Sequence, residues 1–178
     1  TAAGFCVVDI DDVCPENPFG KPLFYECFFS SRGEDVKSVT LDDARRLVLI
    51  SERIAWIVKT YGVETAVAEL PVGGARSAAA IKGMAMSTAL TVVTLFQLGV
   101  QSSYVTPAMN KRESTGDSKA EKERVIEEVS KAWPGISWPR LKRKDQVDSR
   151  QAEAIADAFA TVIAFCKLGL INQKTRSS

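Results

Sequence analysis

The side chains best suited to chemistry in this chain are carboxylates. Glu69 stands near the end of the apolar run ETAVAEL, directly before a proline–glycine turn. A carboxylate in so apolar a segment is costly to bury unless it is paired or bound to a metal ion. The plain alternative is a strand-end carboxylate facing water. Glu153 and Asp157 lie four residues apart in QAEAIADAFATVIAF and so share one helical face. The rest of that segment is almost wholly apolar. Two like charges one turn apart on such a helix need a compensating cation. Hard divalent cations prefer clustered carboxylate oxygens. The chain has no histidine. That excludes serine–histidine and cysteine–histidine machinery, H-E-x-x-H zinc sites and an imidazole base. Any reaction must rest on carboxylates, lysines, hydroxyls or a metal ion.

Those groups sit in a chain of 178 residues, 46% hydrophobic and 25% charged, the composition of a soluble globular protein. A single domain over residues 1–178 is expected. The formal net charge is +1, but it is unevenly spread. Residues 1–70 carry 7 basic and 12 acidic side chains, whereas residues 107–144 carry 10 basic and 6 acidic. A positive surface beside an acidic one is compatible with a nucleic-acid groove next to a metal site. Solvated helix faces explain the same pattern without a ligand. Cys6, Cys27 and Cys166 lie in apolar runs, and Cys14 has no C-x-x-C partner. This usage suits a reducing cytosol, so a cytoplasmic location is expected. Between Lys82 and Lys111 run 28 uncharged residues. Polar interruptions and Gly99 favour a buried core helix followed by a strand over a membrane span.

The elements that would hold the carboxylates can be read from periodicity. GFCVVDI and LFYECFF predict two strands, antiparallel because their link is short. Thr40 is expected to cap a helix reaching Tyr61, ended by Gly62. ETAVAEL predicts a strand in the middle of a sheet. A small-residue helix over 76–98 follows, then the strand SSYVTP, ended by Pro107. After a polar basic loop, Ser118 and Glu121 have capping-box spacing for a helix to about Trp133. Asp148 is expected to cap the last helix, to about Lys167. The order predicts an α/β fold with a mixed sheet, antiparallel strands first and parallel strands after, flanked by helices.

Four segments, in this order, resemble RuvC-type Holliday-junction resolvases of the ribonuclease H-like superfamily. They are TAAGFCVVD, TAVAELPVGGARSAAAIKGMA, TPAMNKRESTGDSKAEKERVIEEV and EAIADAFATVIA. In the second, Ser77 and Gly83 fall at the places of the family's helix serine and glycine. The resemblance implies a ribonuclease H-like fold and a metal-dependent endonuclease that cuts four-way DNA junctions with two divalent ions. Glu69 matches the family's second carboxylate and Asp157 its last. The third usually lies three residues before the last, where this chain has Ala154; Glu153 is the substitute. The family's aromatic residue after the second carboxylate is replaced by Pro71 and Val72.

The first catalytic aspartate, and the strand that bears it, are expected upstream of Thr1. Replacement of that aspartate, with Asp9 as the nearest stand-in, and an inactive protein are the other readings. The resemblance further implies Mg²⁺ (or Mn²⁺) at Glu69, Glu153 and Asp157. It implies phosphate contacts from Lys111, Arg112, Lys119 and Lys122, with Lys142, Arg143 and Lys144 as a second cluster. Symmetric cutting of a junction implies a homodimer, with the helix at 76–98 as its surface, and no membrane. A ribonuclease H-like nuclease for RNA or other branched DNA would share the same acidic site. A non-catalytic nucleic-acid-binding scaffold of the same fold is a further alternative.

Overall fold

The computed structural model describes residues 2–11, 18–30, 38–70, 77–140 and 148–169. Among them the chain runs β1 (Ala2–Asp9), β2 (Lys21–Phe29), α1 (Val39–Tyr61), β3 (Thr65–Glu69), α2 (Ala78–Gln97), β4 (Gln101–Val105), α3 (Pro107–Thr115), α4 (Lys122–Ala132) and α5 (Ser149–Lys167). β1 pairs with β2, and β3 with β4. The first pair is antiparallel and the second parallel, so the expected α/β architecture is present. Among the described residues each ladder has two strands. Contacts divide the chain into two compact units, one of Phe29–Tyr104 and one of Ala2–Phe28 with Val105–Ser178.

In the first unit, α1 turns Ile50, Ile54 and Ile57 inward at helical spacing. Its cap is Ser38, not Thr40: the Ser38 hydroxyl accepts from the Leu41 amide at 3.5 Å. The helix therefore begins before Thr40, which lies inside its first turn. Gly62 ends it in the left-handed conformation, φ 63°. α1 packs along α2, and the Ser51 and Thr94 hydroxyls are hydrogen-bonded across the seam at 3.0 Å. α2 begins at its own cap, where Ser77 Oγ accepts from the Ala80 amide at 3.2 Å.

One expectation is corrected here. α2 is not a buried core helix, because only Thr94 and Leu95 are buried. Ile81 and Val93 are exposed, and Phe96 is 82% exposed. By length and hydropathy α2 would also pass for a membrane-crossing helix. Composition alone does not separate a core helix from an apolar face left uncovered by its own chain.

The second unit is built around α5. Asp148 caps it as expected, accepting from the amides of Arg150 and Gln151, both at 3.2 Å. Ala152, Ile155, Ala156, Phe159, Ala160, Ile163 and Ala164 are buried along it. That is almost every direction around the helix, which packs on β1, α3 and α4. Phe159 is fully buried. Its ring lies 4.7 Å from that of Trp133 and 5.5 Å from that of Tyr25. Trp133 donates its indole N–H to the Gly20 carbonyl at 2.8 Å. The Tyr25 hydroxyl accepts from the Ser137 amide at 2.7 Å. These bonds satisfy the polar ends of rings that are otherwise in the core. Cys6 packs against the same cluster, and burial pushes its thiol up to about 12, which leaves it protonated and unreactive.

β1 reaches α5 closely because residue 4 is glycine. A Cβ there would run into the Ala154 carbonyl. The stretch expected to be a basic loop instead holds α3. Thr106 Oγ1 caps it, accepting from the Met109 amide at 3.2 Å, and Pro107 takes the first helical position, where its missing N–H costs nothing. Ser118 does not cap α4. Glu121 stands at that cap without a side-chain bond. Asp117 instead organises a turn ahead of α4, accepting from the Lys119 amide at 2.8 Å.

Phe159→Ala removes the ring at the centre of this core and is expected to cost about 3–5 kcal/mol, read from the denaturant midpoint. Gly4→Ala must push β1 off α5. It is expected to cost roughly 1–3 kcal/mol or more in the same assay, where most glycine-to-alanine changes in strands would not.

Candidate active site

The three carboxylates expected to act together fall in different units: Glu69 in the first, Glu153 and Asp157 in the second. Glu69 is the last residue of β3 and is half-buried. It lines an open cavity of about 290 Å³ formed by β3, α1 and α2 within the first unit. Beside it in the lining are Asp43 and Arg46 of α1. These two belong to a charge network that the sequence reading missed. Arg46 lies 3.8 Å from Asp42 and 3.9 Å from Asp43, and its Nε donates to the Ser30 hydroxyl at 3.3 Å. Lys82 of α2 closes on Asp43 at 2.9 Å. The Lys82 ammonium holds the Asp43 carboxyl below the usual carboxylate range. Asp42 is only 4% exposed, which an ion needs a partner to tolerate. The available signal was spacing: in LDDARR, Asp42 and Asp43 precede Arg46 by four and three residues.

On α5, Glu153 and Asp157 are both half-buried and one turn apart. The compensating cation required by their spacing is present as Lys122, whose ammonium meets Glu153 at 2.5 Å. Hydrogen bonding to Glu153 raises the Lys122 pKa, with smaller help from the charge of Asp157. The pair's contribution is therefore in place through neutral pH and fades only as pH climbs through the raised lysine value. With Lys122 60% exposed, that contribution is small. The backbone of α5 around Asp157 is tied to α3. Asn110 Nδ2 donates to the Asp157 carbonyl at 3.2 Å and to Thr161 Oγ1 at 3.1 Å. Ala154, where the third family carboxylate would stand, is the residue whose carbonyl abuts Gly4.

The basic residues are placed as follows. Lys111 and Arg112 lie on α3 and Lys119 in the turn before α4. Arg112 is bound to Glu113 at 2.8 Å. Lys119 is exposed and Lys111 half-exposed. Lys122 is engaged with Glu153 as described. Lys142, Arg143 and Lys144 lie outside the described residues, as do Cys14, Pro71 and Val72. Asp9 ends β1 and accepts from the Asp11 amide at 3.1 Å, which accounts for it as a turn residue.

Oxygen donors of this kind suit a hard divalent cation. Among the described residues no three acidic or cysteine side chains gather as a metal cage. What the structure does provide is the two-carboxylate face of α5, with one lysine ammonium on Glu153. The donor chemistry thus fits a divalent ion, which would compete with the Lys122 ammonium for Glu153.

No family model matches the chain, and no curated protein matches it. Solved structures do. The chain is similar to Thermus thermophilus RuvC in complex with a Holliday junction substrate, with a TM-score of 0.70 and 17% identity over 94% of this chain and 88% of that one. It is also similar to a second Thermus thermophilus RuvC structure, with a TM-score of 0.66 and 19% identity over 95% of this chain and 91% of that one. The chain has the fold of the RuvC Holliday-junction resolvase structures, as its sequence motifs led us to expect.

Proposed function

We propose that the chain is a metal-dependent endonuclease that resolves four-way DNA junctions, acting as one nuclease domain over residues 1–178. The observation that carries this reading is the likeness, over 94% of the chain, to a RuvC solved with its junction substrate. Glu69 at the end of β3 and Asp157 on α5 support it, because the sequence resemblance matches them to the family's second and last carboxylates, while Glu153 is the substitute one residue before the usual third position. Glu69, Glu153 and Asp157 would hold Mg²⁺, or Mn²⁺ in its place. Bound divalent ions activate water and offset charge on the leaving oxygen of a phosphodiester.

The chain's own residues supply the rest. The burial of α5 and the Asn110 bonds to it fix the Glu153–Asp157 face. Lys122 holds the Glu153 charge neutral until another cation takes it. Lys111, Arg112 and Lys119 would meet backbone phosphates, which gives affinity without reading sequence. Lys142, Arg143 and Lys144 are proposed as a second such group. A homodimer, joined through the exposed apolar face of α2, would place two sites for two cuts. The working compartment would be the cytoplasm, on DNA.

The lysine on Glu153 favours a second reading, a junction-binding protein without catalysis, in which Lys122 takes the place of an ion. Calorimetry with Mg²⁺ separates the two. The nuclease reading expects a binding heat that Asp157→Asn diminishes; a protein that binds junctions but shows no such heat is the scaffold. Glu69→Gln is expected to abolish junction cleavage while leaving the gel-shift affinity within a few-fold, and cleavage that survives removes Glu69 from the site. Lys111→Ala and Lys119→Ala should each flatten the salt dependence of junction binding by about one in log–log slope. An unchanged slope argues against the phosphate contacts.

A further inference from the structure

We propose that Lys122 couples ion loading to DNA binding. Its ammonium occupies Glu153 in the free chain, and a backbone phosphate of the bound strand draws it off, leaving the α5 face to a divalent ion. This deepens the nuclease reading and rests on it. The ammonium stands on Oε1 of Glu153, and the charge of Asp157 acts on it as well. It thus sits in the field of both carboxylates, where an ion would also go. A single negative charge does not neutralise an ammonium and a divalent ion together, and the two cations repel each other across it. Whatever moves Lys122 away therefore raises the affinity of the face for an ion. An ion on the face in turn frees Lys122 for another anion. The two effects are equal by linkage.

The two ends of the pair differ in the way such an exchange needs. The Lys122 side chain is 60% exposed and that of Glu153 30%. The ammonium end lies toward solvent, and the carboxylate end stays with α5. A flexible four-carbon stem lets the lysine charge swing without moving the backbone. Lys122 is the first residue of α4, three positions after Lys119. A strand held at Lys119 brings its phosphates to the start of the same helix. The other ion pairs of α4 lack this arrangement, because Lys131 and its partners Glu127 and Glu128 all belong to α4 itself.

The test is a thermodynamic cycle on the full chain with a four-way junction and Ca²⁺, a hard cation that takes oxygen ligands as Mg²⁺ does. A denaturing gel checks that the junction stays whole. Calorimetry gives the Ca²⁺ affinity of the DNA-free chain. Gel shifts with and without Ca²⁺ give the gain in junction affinity that the ion brings. Lys122→Met and Lys122→Gln remove the charge, and Lys122→Arg keeps it. Lys131→Met removes one charge from the far end of α4 and measures the general effect of a lost cation. Thermal unfolding checks that each variant is folded.

We expect Lys122→Met and Lys122→Gln to bind Ca²⁺ about two- to five-fold more tightly than the parent, the range that loss of one exposed pair allows. Lys122→Arg and Lys131→Met should stay close to the parent. The gain in junction affinity on adding Ca²⁺ should shrink by the same factor in the two uncharged variants and persist in Lys122→Arg. A lysine that only supports the fold, or only contacts DNA, would change junction affinity alike with and without the ion. An unchanged Ca²⁺ affinity in the folded uncharged variants overturns the inference alone, as does a gain that stays at the parent value. A parent chain that binds no junction, or takes up neither Ca²⁺ nor Mg²⁺, overturns the nuclease reading, and the inference with it.

Discussion

A helix surrounded by its own core carries two carboxylates, and much of the second unit answers to that conflict. α5 buries apolar side chains nearly all round, yet Glu153 and Asp157 emerge from it one turn apart. Desolvation opposes both charges and each opposes the other. The chain meets the conflict by leaving that face half-open and sending Lys122 across from α4. The close approach of β1 through Gly4, the Asn110 bonds from α3 and the aromatic cluster around Phe159 then fix where the face stands. Several independent contacts thus hold the Glu153–Asp157 face in one place.

The first unit solves a different problem with related means. The α1 and α2 N-terminal turns bring Asp42, Asp43, Arg46 and Lys82 into one network. Buried ion pairs are poor sources of net stability, since desolvation offsets their attraction. Their effect here is geometric. They tie two helices together beside the cavity that Glu69 lines.

Much of this was legible in residue order, because the relevant signals are local. Asp148 with Gln151, Gly62 after Tyr61 and the apolar run ending at Glu69 each mark an element end through one capping or periodic rule. The failures share a cause. Pro107 was read as the stop of a strand, but after Thr106 it is equally a helix start. Ser118 and Glu121 have capping-box spacing, yet Asp117 organises that turn instead. The Lys122–Glu153 pair spans 31 residues in sequence, and no local rule selects one lysine from that basic stretch. The exposure of α2 was hidden for the opposite reason. Its composition is clear, but composition does not say whether the cover comes from the same chain.

The bare start of α4 has its own consequence. Glu121 offers no side-chain bond to the free amides of the first turn, and Lys122, the first residue of that turn, is held instead by Glu153. The order of this turn is thus tied to whatever cation sits on Glu153. Such coupling is reciprocal. Anything that draws Glu153 away from Lys122 loosens the turn, and anything that stiffens the turn makes Glu153 harder to draw away. The amides at the start of α4 therefore report on the Lys122–Glu153 pair, readable by hydrogen exchange without any label on the carboxylates themselves.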